Sequence, residues 1–399
     1  MRAYWAVVVA CALIGAAGCA PQQPERSASS ADEVWVVSLG DSIISGEAGR
    51  WAGNQTFSTN NIDALGTAAY ADGPQGESIE RCHRSKSAAI HIGSVQSMNF
   101  ACSGAKTSTY VDSNGHFKPG IDFFNEGDRI GQALMLEQFA TDHMVKMVTL
   151  SIGANDFSYE AIVTQCVTDY MKPIVLGTFC QNNPTIAGYL SAPAIEKVRA
   201  DTQQAILNIS TAMQNAGYRP DQWTLGIQLY PQLIAPAAEM RYPESGYDRQ
   251  LIGGCGIRDE DITWMRDTWF AQMNRTFAQA AQDAQSSDAS LQVVTLDATN
   301  AFGRHTLCNA NVHRMQTEGG ANDWKDAGAV DLREWVMEIN ILNPNNTFKQ
   351  ESFHPNYWGQ LALRACWRQV WNDGNIRGGT CTQTGGGQNE YGEPNMRVF

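Results

Sequence analysis

Ser42, Gly104, Asn155 and His354 are the positions of this chain whose residue types and order could do chemistry together. Ser42 closes the run Val34-Trp35-Val36-Val37-Ser38-Leu39-Gly40-Asp41-Ser42, and Gly104 lies in Phe100-Ala101-Cys102-Ser103-Gly104-Ala105. Asn155 lies in Gly153-Ala154-Asn155-Asp156, and His354 belongs to the only His-Pro pair of the sequence. Attack on an acyl carbon needs a nucleophile, a base to take its proton, a group that orients the base, and donors aimed at the oxyanion. Ser42 supplies the hydroxyl, His354 the base, and Glu351, three residues earlier, a carboxylate to fix the imidazole tautomer. The backbone N–H groups of Ser42 and Gly104 and the side-chain amide of Asn155 are the candidate oxyanion donors. Glycine at 104 keeps a side chain out of the path of a substrate approaching the backbone. Alone, Gly40-Asp41-Ser42 is equally a turn that ends a core strand; its weight comes from the blocks downstream.

Such chemistry requires a scaffold that brings the four blocks to one edge. Residues 34–39 form a run of apolar and β-branched residues without alternation, as in a parallel strand covered on both faces, and Gly40 permits a sharp exit. Further strands are expected over 100–105, 147–152, 223–229 and 291–296. Helical patterns run through Ile130, Ala133, Leu134, Leu136 and Phe139, through Ile195 to Met213, over about 259–285, and near 357–372. Ser191 and Pro193 suit the start of the second of these, Gly217 and Pro220 its end. Between Gly46 and Asn99 there is little periodicity, so a long loop with short helices is expected, stapled at Cys82. Strands alternating with helices argue for a central five-stranded parallel sheet with helices on both faces, an α/β sandwich whose ligand site lies outside the carboxyl ends of the strands. Ser42, Gly104, Asn155 and His354 all follow strands and converge there.

The chain has 399 residues, 43% of them hydrophobic, and a formal net charge of -13 with no basic run. Nucleic acid is therefore not an expected partner. Residues 1–18 read as a signal peptide: Arg2, an apolar stretch, then Ala16-Ala17-Gly18 before Cys19. Ala-Ala-Gly-Cys resembles a bacterial lipobox, so Cys19 is expected to carry lipid and anchor the protein to the membrane of the cell envelope, direct secretion being the alternative. Residues 19–33 are then a tether, 34–377 the catalytic domain, and 378–399 a Gly-rich tail held by Cys381. The eight remaining cysteines are Cys82, Cys102, Cys166, Cys180, Cys255, Cys308, Cys366 and Cys381. They are an even number in an exported chain and are expected to form disulfides between neighbours. No metal and no cofactor is expected, since His305 and Cys308 lack a third ligand. Asp41 and Asp156 are expected to brace turns through nearby backbone N–H groups. His83, His91, His116, His143 and His313 have no special context.

At this point the blocks resemble the SGNH hydrolases of the GDSL type, with Gly40-Asp41-Ser42, Gly104, Gly153-Ala154-Asn155-Asp156 and His354 standing for the family's four blocks in order. More narrowly, Cys82-His83-Arg84-Ser85, Ala101-Cys102-Ser103-Gly104-Ala105, Phe302-Gly303-Arg304-His305-Thr306-Leu307-Cys308 and Ser352-Phe353-His354-Pro355-Asn356 are similar to secreted, disulfide-bonded actinobacterial lipases and esterases. The resemblance covers roughly residues 34 to 370. It implies a flavodoxin-like three-layer sandwich and a metal-free serine mechanism. It also implies that Cys82 pairs with Cys102, Cys166 with Cys180 and Cys255 with Cys308, leaving Cys366 and Cys381 to pair by remainder. The family commonly has aspartate where this chain has Glu351, and some relatives use a backbone carbonyl at that position, so Glu351 is expected to act by side chain or carbonyl. The implied activity is that of an exported carboxylic-ester hydrolase on acyl esters, lipid or phospholipid among them, and the protein is expected to be a monomer. O-deacetylation of acylated polysaccharide is an alternative; a non-catalytic lipid- or carbohydrate-binding lipoprotein is a third, disfavoured by the intact Ser42, Asn155 and His354.

Overall fold

A computed structural model describes residues 33–56, 62–176, 178–313, 323–340 and 346–399. The signal peptide, Cys19 and nearly all of the tether lie outside them. The framework is a seven-stranded sheet built from β1 (Val34–Gly40), β2 (Gln96–Asn99), β3 (Met144–Ser151), β4 (Thr224–Gln228), β5 (Val293–Asp297), β6 (Gly379–Gln388) and β7 (Pro394–Val398). The spatial order is β7-β6-β5-β4-β3-β1-β2, parallel except for the antiparallel β6–β7 pair. The first five strands thus keep the expected parallel core, in the doubly wound order 2-1-3-4-5.

Both faces are covered. On one, Val37, Leu39, Val148 and Leu225 pack against α2 (Gln132–Asp142) and α4 (Ala192–Asn215); on the other, Val36 and Met147 join the core of α3 (Tyr159–Tyr170) and α7 (Tyr357–Trp371). Between them in sequence, α5 (Asp259–Trp264) runs through a wider π-helical stretch, Met265–Phe270, into α6 (Ala271–Ser287). Alternate residues of β1 therefore enter opposite cores, which is why its sequence shows no polar face. Buried apolar surface on both sides fixes its register, because a slip of one residue would exchange the two sets.

Two expectations change. The tail from Gly378 is more than an extension held at Cys381: β6 pairs Gly379 and Thr380 with Leu296 and Asp297, and β7 closes the edge. The sheet therefore has seven strands rather than five. The strand expected at 100–105 ends earlier, at Asn99, and residues 100–105 form the turn beyond it. The long loop holds: among the described residues of 46–95, one three-residue 3-10 turn, Gly66–Ala68, is the only helix.

The cysteines pair as neighbours. Cys82 is bonded to Cys102, and Cys166 to Cys180. Cys255 is bonded to Cys308, and Cys366 to Cys381. The bond from Cys166 ties the last turns of α3 to the loop that follows it. Cys255 and Cys308, both fully buried, join the segment before α5 to the loop after β5.

Candidate active site

At its carboxyl end β1 turns abruptly into α1 (Ser42–Ser45). Gly40 has φ +136°, and a Cβ there would lie 2.0 Å from the Ser151 carbonyl oxygen on β3, so only glycine fits. Its buried backbone groups are met by the buried Gln132, which accepts from Gly40 N–H at 2.7 Å and donates to its carbonyl at 3.0 Å. Asp41 caps α1 by accepting from Ile43 N–H at 3.2 Å and takes a second hydrogen bond from Tyr230. Burial pushes its carboxyl up to about 7, against those hydrogen bonds. Asp41 thus braces the turn that presents Ser42.

The histidine arrives on the loop before α7, and that loop is fixed residue by residue. Tyr159 donates its hydroxyl to the Phe353 carbonyl at 2.7 Å, and Met337 N–H donates to the His354 carbonyl at 2.9 Å. Asn356 caps α7, accepting from Trp358 and Gly359 at 3.0 and 3.2 Å. These bonds carry the His354 ring to Ser42, with Nε2 2.6 Å from Oγ; both residues are 7% exposed. Nδ1 lies 2.9 Å from the Ser352 carbonyl. With Nδ1–H donating there, Nε2 is left as the acceptor for the serine hydroxyl. Burial lowers the basicity of His354, and the charge of Glu47 partly opposes that.

Of the two ways in which Glu351 is expected to act, the side chain is directed elsewhere, while its backbone, after that of Ser352, raises the basicity of His354. Its carboxylate accepts from Trp51 Nε1 at 2.9 Å and from the Tyr70 hydroxyl at 2.5 Å, and makes no bond to His354. The carbonyl that meets Nδ1 belongs to Ser352, one residue on. Beneath this loop lies a buried cluster that sequence reasoning missed. Among the described residues, Glu47, His83 and Glu351 place oxygen and nitrogen atoms within 4.8 Å of one another. Those atoms are engaged by Trp51, Tyr70, Gln350 and one another. His83, with no special context in the sequence, pairs with Glu47 at 2.7 Å.

Gly104 and Asn155 complete the edge. Gly104 has φ +80°, in the left-handed region that favours glycine, while a Cβ there would make only ordinary contact with Lys118, at 3.4 Å. Neither Ser42 N–H nor Gly104 N–H donates to any group among the described residues. Asn155 donates through Nδ2 to the Ala105 carbonyl at 2.9 Å, which uses one of the two N–H groups on that nitrogen. Asp156 accepts from Thr107 N–H at 3.1 Å and from its hydroxyl at 2.9 Å, tying the Asn155 turn to the Gly104 turn. Cys102 anchors the same segment to Cys82. Ser42, Gly104, Asn155 and His354 line one cleft of about 830 Å³. Its walls include Tyr110, Tyr159 and Ile339 and carry Arg81, Lys106, Lys118 and Lys349 against Asp112 and Glu160.

The chain is similar in structure to an extracellular lipase from Streptomyces rimosus, at 17% identity and TM-score 0.40, over 85% of this chain and 99% of the other. It is also similar to a phospholipase A1 from Streptomyces albidoflavus NA297, at 15% identity and TM-score 0.39, over 86% and 99%. A third similarity is to a carbohydrate acetylesterase from Sinorhizobium meliloti, at 10% identity and TM-score 0.33, again over 86% and 99%. No protein-family model and no curated protein matches the chain.

Proposed function

We propose that this protein is an SGNH-type serine ester hydrolase. The observation that carries the reading is the 2.6 Å contact between Ser42 Oγ and His354 Nε2, at a cleft that Gly104 and Asn155 also line and where the N–H groups of Ser42 and Gly104 have no acceptor among the described residues. Ser42 Oγ attacks the ester carbonyl carbon while its proton passes to His354 Nε2. The oxyanion is held by Ser42 N–H, Gly104 N–H and Asn155 Nδ2. The imidazolium then protonates the leaving alcohol, and water, deprotonated by the same nitrogen, releases the acid and regenerates Ser42. The Ser352 carbonyl, not the Glu351 carboxylate, holds the imidazole in the required tautomer. The chain carries this out with its own side chains and no cofactor.

The substrates are acyl esters, lipid or phospholipid among them, taken into a cleft of about 830 Å³. Four disulfides suit an exported protein. Lipid attachment at Cys19 and a monomeric state remain part of the same proposal. No helix among the described residues is long and apolar enough to cross a membrane. The test is labelling by an organophosphonate together with turnover of p-nitrophenyl esters of rising chain length, acetylated xylan and phosphatidylcholine. Ser42→Ala abolishes labelling and reduces turnover to background with an unchanged melting profile. Undiminished turnover in that variant refutes the serine mechanism, and turnover of acetylated xylan alone reassigns the substrate.

A further inference from the structure

Glu47 stands five residues after the nucleophile, fully buried. Its backbone N–H donates to the Ser42 carbonyl at 3.1 Å, and its carboxylate accepts from His83 Nδ1 at 2.7 Å and from Gln350 Nε2 at 3.0 Å. Gln350 belongs to the helical turn Asn346–Glu351 that leads into the His354 loop, and it also donates to the Arg81 carbonyl at 3.0 Å. Glu47 is therefore tied to the serine through its backbone and to the approach of the histidine through its side chain. A carboxylate without water around it persists as an anion only where a cation or several donors face it. His83, 3% exposed and stacked on Tyr70 at 4.2 Å, and Gln350 are the groups that face it.

The protons in this cluster distribute unevenly. Burial raises Glu47, but the charge and hydrogen bond of His83 more than offset it and hold the carboxyl at about 2. Burial lowers His83, yet the Glu47 carboxylate beside it raises it above its ordinary value. Glu351 is pushed up to about 7, first by burial and then by the charge of Glu47. The anion thus sits on Glu47, and Glu47 and His354 act on each other electrostatically in both directions. Resting on the hydrolase reading above, we propose that Glu47 is the electrostatic partner of His354, a positioning residue whose fixed negative charge stabilises the imidazolium formed when Ser42 gives up its proton. It takes the place of a carboxylate bonded to Nδ1, which this site lacks.

Other titratable groups lie around the site. Asp41 comes from the β1 exit, and Glu77, Arg81 and His83 from the loop between α1 and β2. Lys118 and Lys349 lie on the cleft wall, Glu351 on the preceding turn, and the Tyr159 ring stands 6.0 Å from that of His354. Glu47 is hydrogen-bonded to the Ser42 carbonyl and to Gln350, four residues before His354, whereas His83 meets Glu47 and Glu77.

The experiment is the pH profile of kcat/KM on a p-nitrophenyl ester, with the pH dependence of phosphonate labelling as a readout independent of substrate. Loss of a nearby anion destabilises the imidazolium, so the pKa of His354 falls and the neutral base survives to lower pH. In Glu47→Gln the acid limb is expected to move acidward by roughly one pH unit, and kcat to fall up to about tenfold. Glu47→Asp, which keeps the charge, leaves the limb nearer its original place. Should Glu47→Gln leave His83 unpaired and the fold lost, the double variant E47Q/H83Q removes both buried charges and is expected to move the limb in the same direction. Lower activity with an unmoved limb in these variants shows a merely structural role and overturns the proposal while the hydrolase stands. Absence of Ser42-dependent turnover and labelling in the unaltered protein fails the hydrolase reading and takes this proposal with it.

Discussion

Glu351→Gln separates two ways of building a serine hydrolase on this scaffold. If the Glu351 carboxylate oriented His354, the substitution would resemble amidation of a triad aspartate, for which kcat falls about 10⁴-fold. Here the carboxylate faces Trp51 and Tyr70, and an amide reproduces that arrangement, its oxygen accepting from Trp51 Nε1 while its nitrogen donates to the Tyr70 hydroxyl. Turnover is therefore expected to stay within about threefold of the parent, under ~1 kcal/mol. Stability carries the second half of the test. Burial and the charge of Glu47 raise the Glu351 carboxyl from the ordinary 4.5 to about 7. A raised carboxyl contributes stability that is fully present below its unfolded value and is lost as pH rises through its folded value. At pH 8 that loss is about 3 kcal/mol, with the folded state carrying an ion it disfavours. Glutamine has no proton to lose, so the melting temperature of the variant relative to the parent is expected to be higher at pH 8 than at pH 5. Calorimetry at the two pH values, with kcat measured alongside, decides it. A fall in kcat beyond about 10²-fold, or a variant that loses ground to the parent as pH rises, refutes the assignment.

Asn155→Ala removes a donor that acts as charge develops on the carbonyl oxygen, so kcat is expected to fall about 10²–10³-fold with little change in KM; steady-state kinetics showing a change confined to KM would make Asn155 a ground-state binder. Cys102→Ser opens a loop whose chain entropy suggests about 3 kcal/mol of stabilisation. It also frees the segment carrying Gly104, so esterase activity at 25 °C is expected to drop while circular dichroism still reports a folded sheet; full activity at that point would show that the bond between Cys82 and Cys102 does not position the oxyanion donor.

The parallel core was legible because each of β1, β3, β4 and β5 is a short apolar run bounded by turn residues and separated from the next by helical periodicity. The edge was not legible, for a physical reason. Gly378 and Gly379 read as flexible tail, yet a Cβ on the first would lie 2.5 Å from the Thr295 carbonyl oxygen and on the second 2.3 Å from that of Phe399. Glycine there serves close backbone approach, and the sequence has the same letters for a strand packed that tightly as for a linker. Strand β6 also gains its place from the bond between Cys366 and Cys381, a contact between segments that periodicity does not report.

The catalytic edge shows the same division between what a local pattern carries and what only packing decides. Ser42, Gly104, Asn155 and His354 stood out because each follows a strand or sits beside glycine or proline, and the fold brings all four to one cleft. The group that holds His354 is a main-chain carbonyl, and every residue has one, so no side-chain identity marked Ser352. Glu351 stood out for the opposite reason: it is an acid at a suggestive spacing, but a short helical turn ends there and directs its side chain to Trp51 and Tyr70. Glu47 and His83 lie 36 positions apart on a loop without periodicity, and a charged pair in such a loop reads as solvated surface. Burial converts it into something else, because a pair removed from water keeps its ions only if they face each other, and the field of those ions is then screened far less than at a surface. A carbonyl that sets the tautomer and a buried anion that sets the charge divide between two places the work that one aspartate does elsewhere.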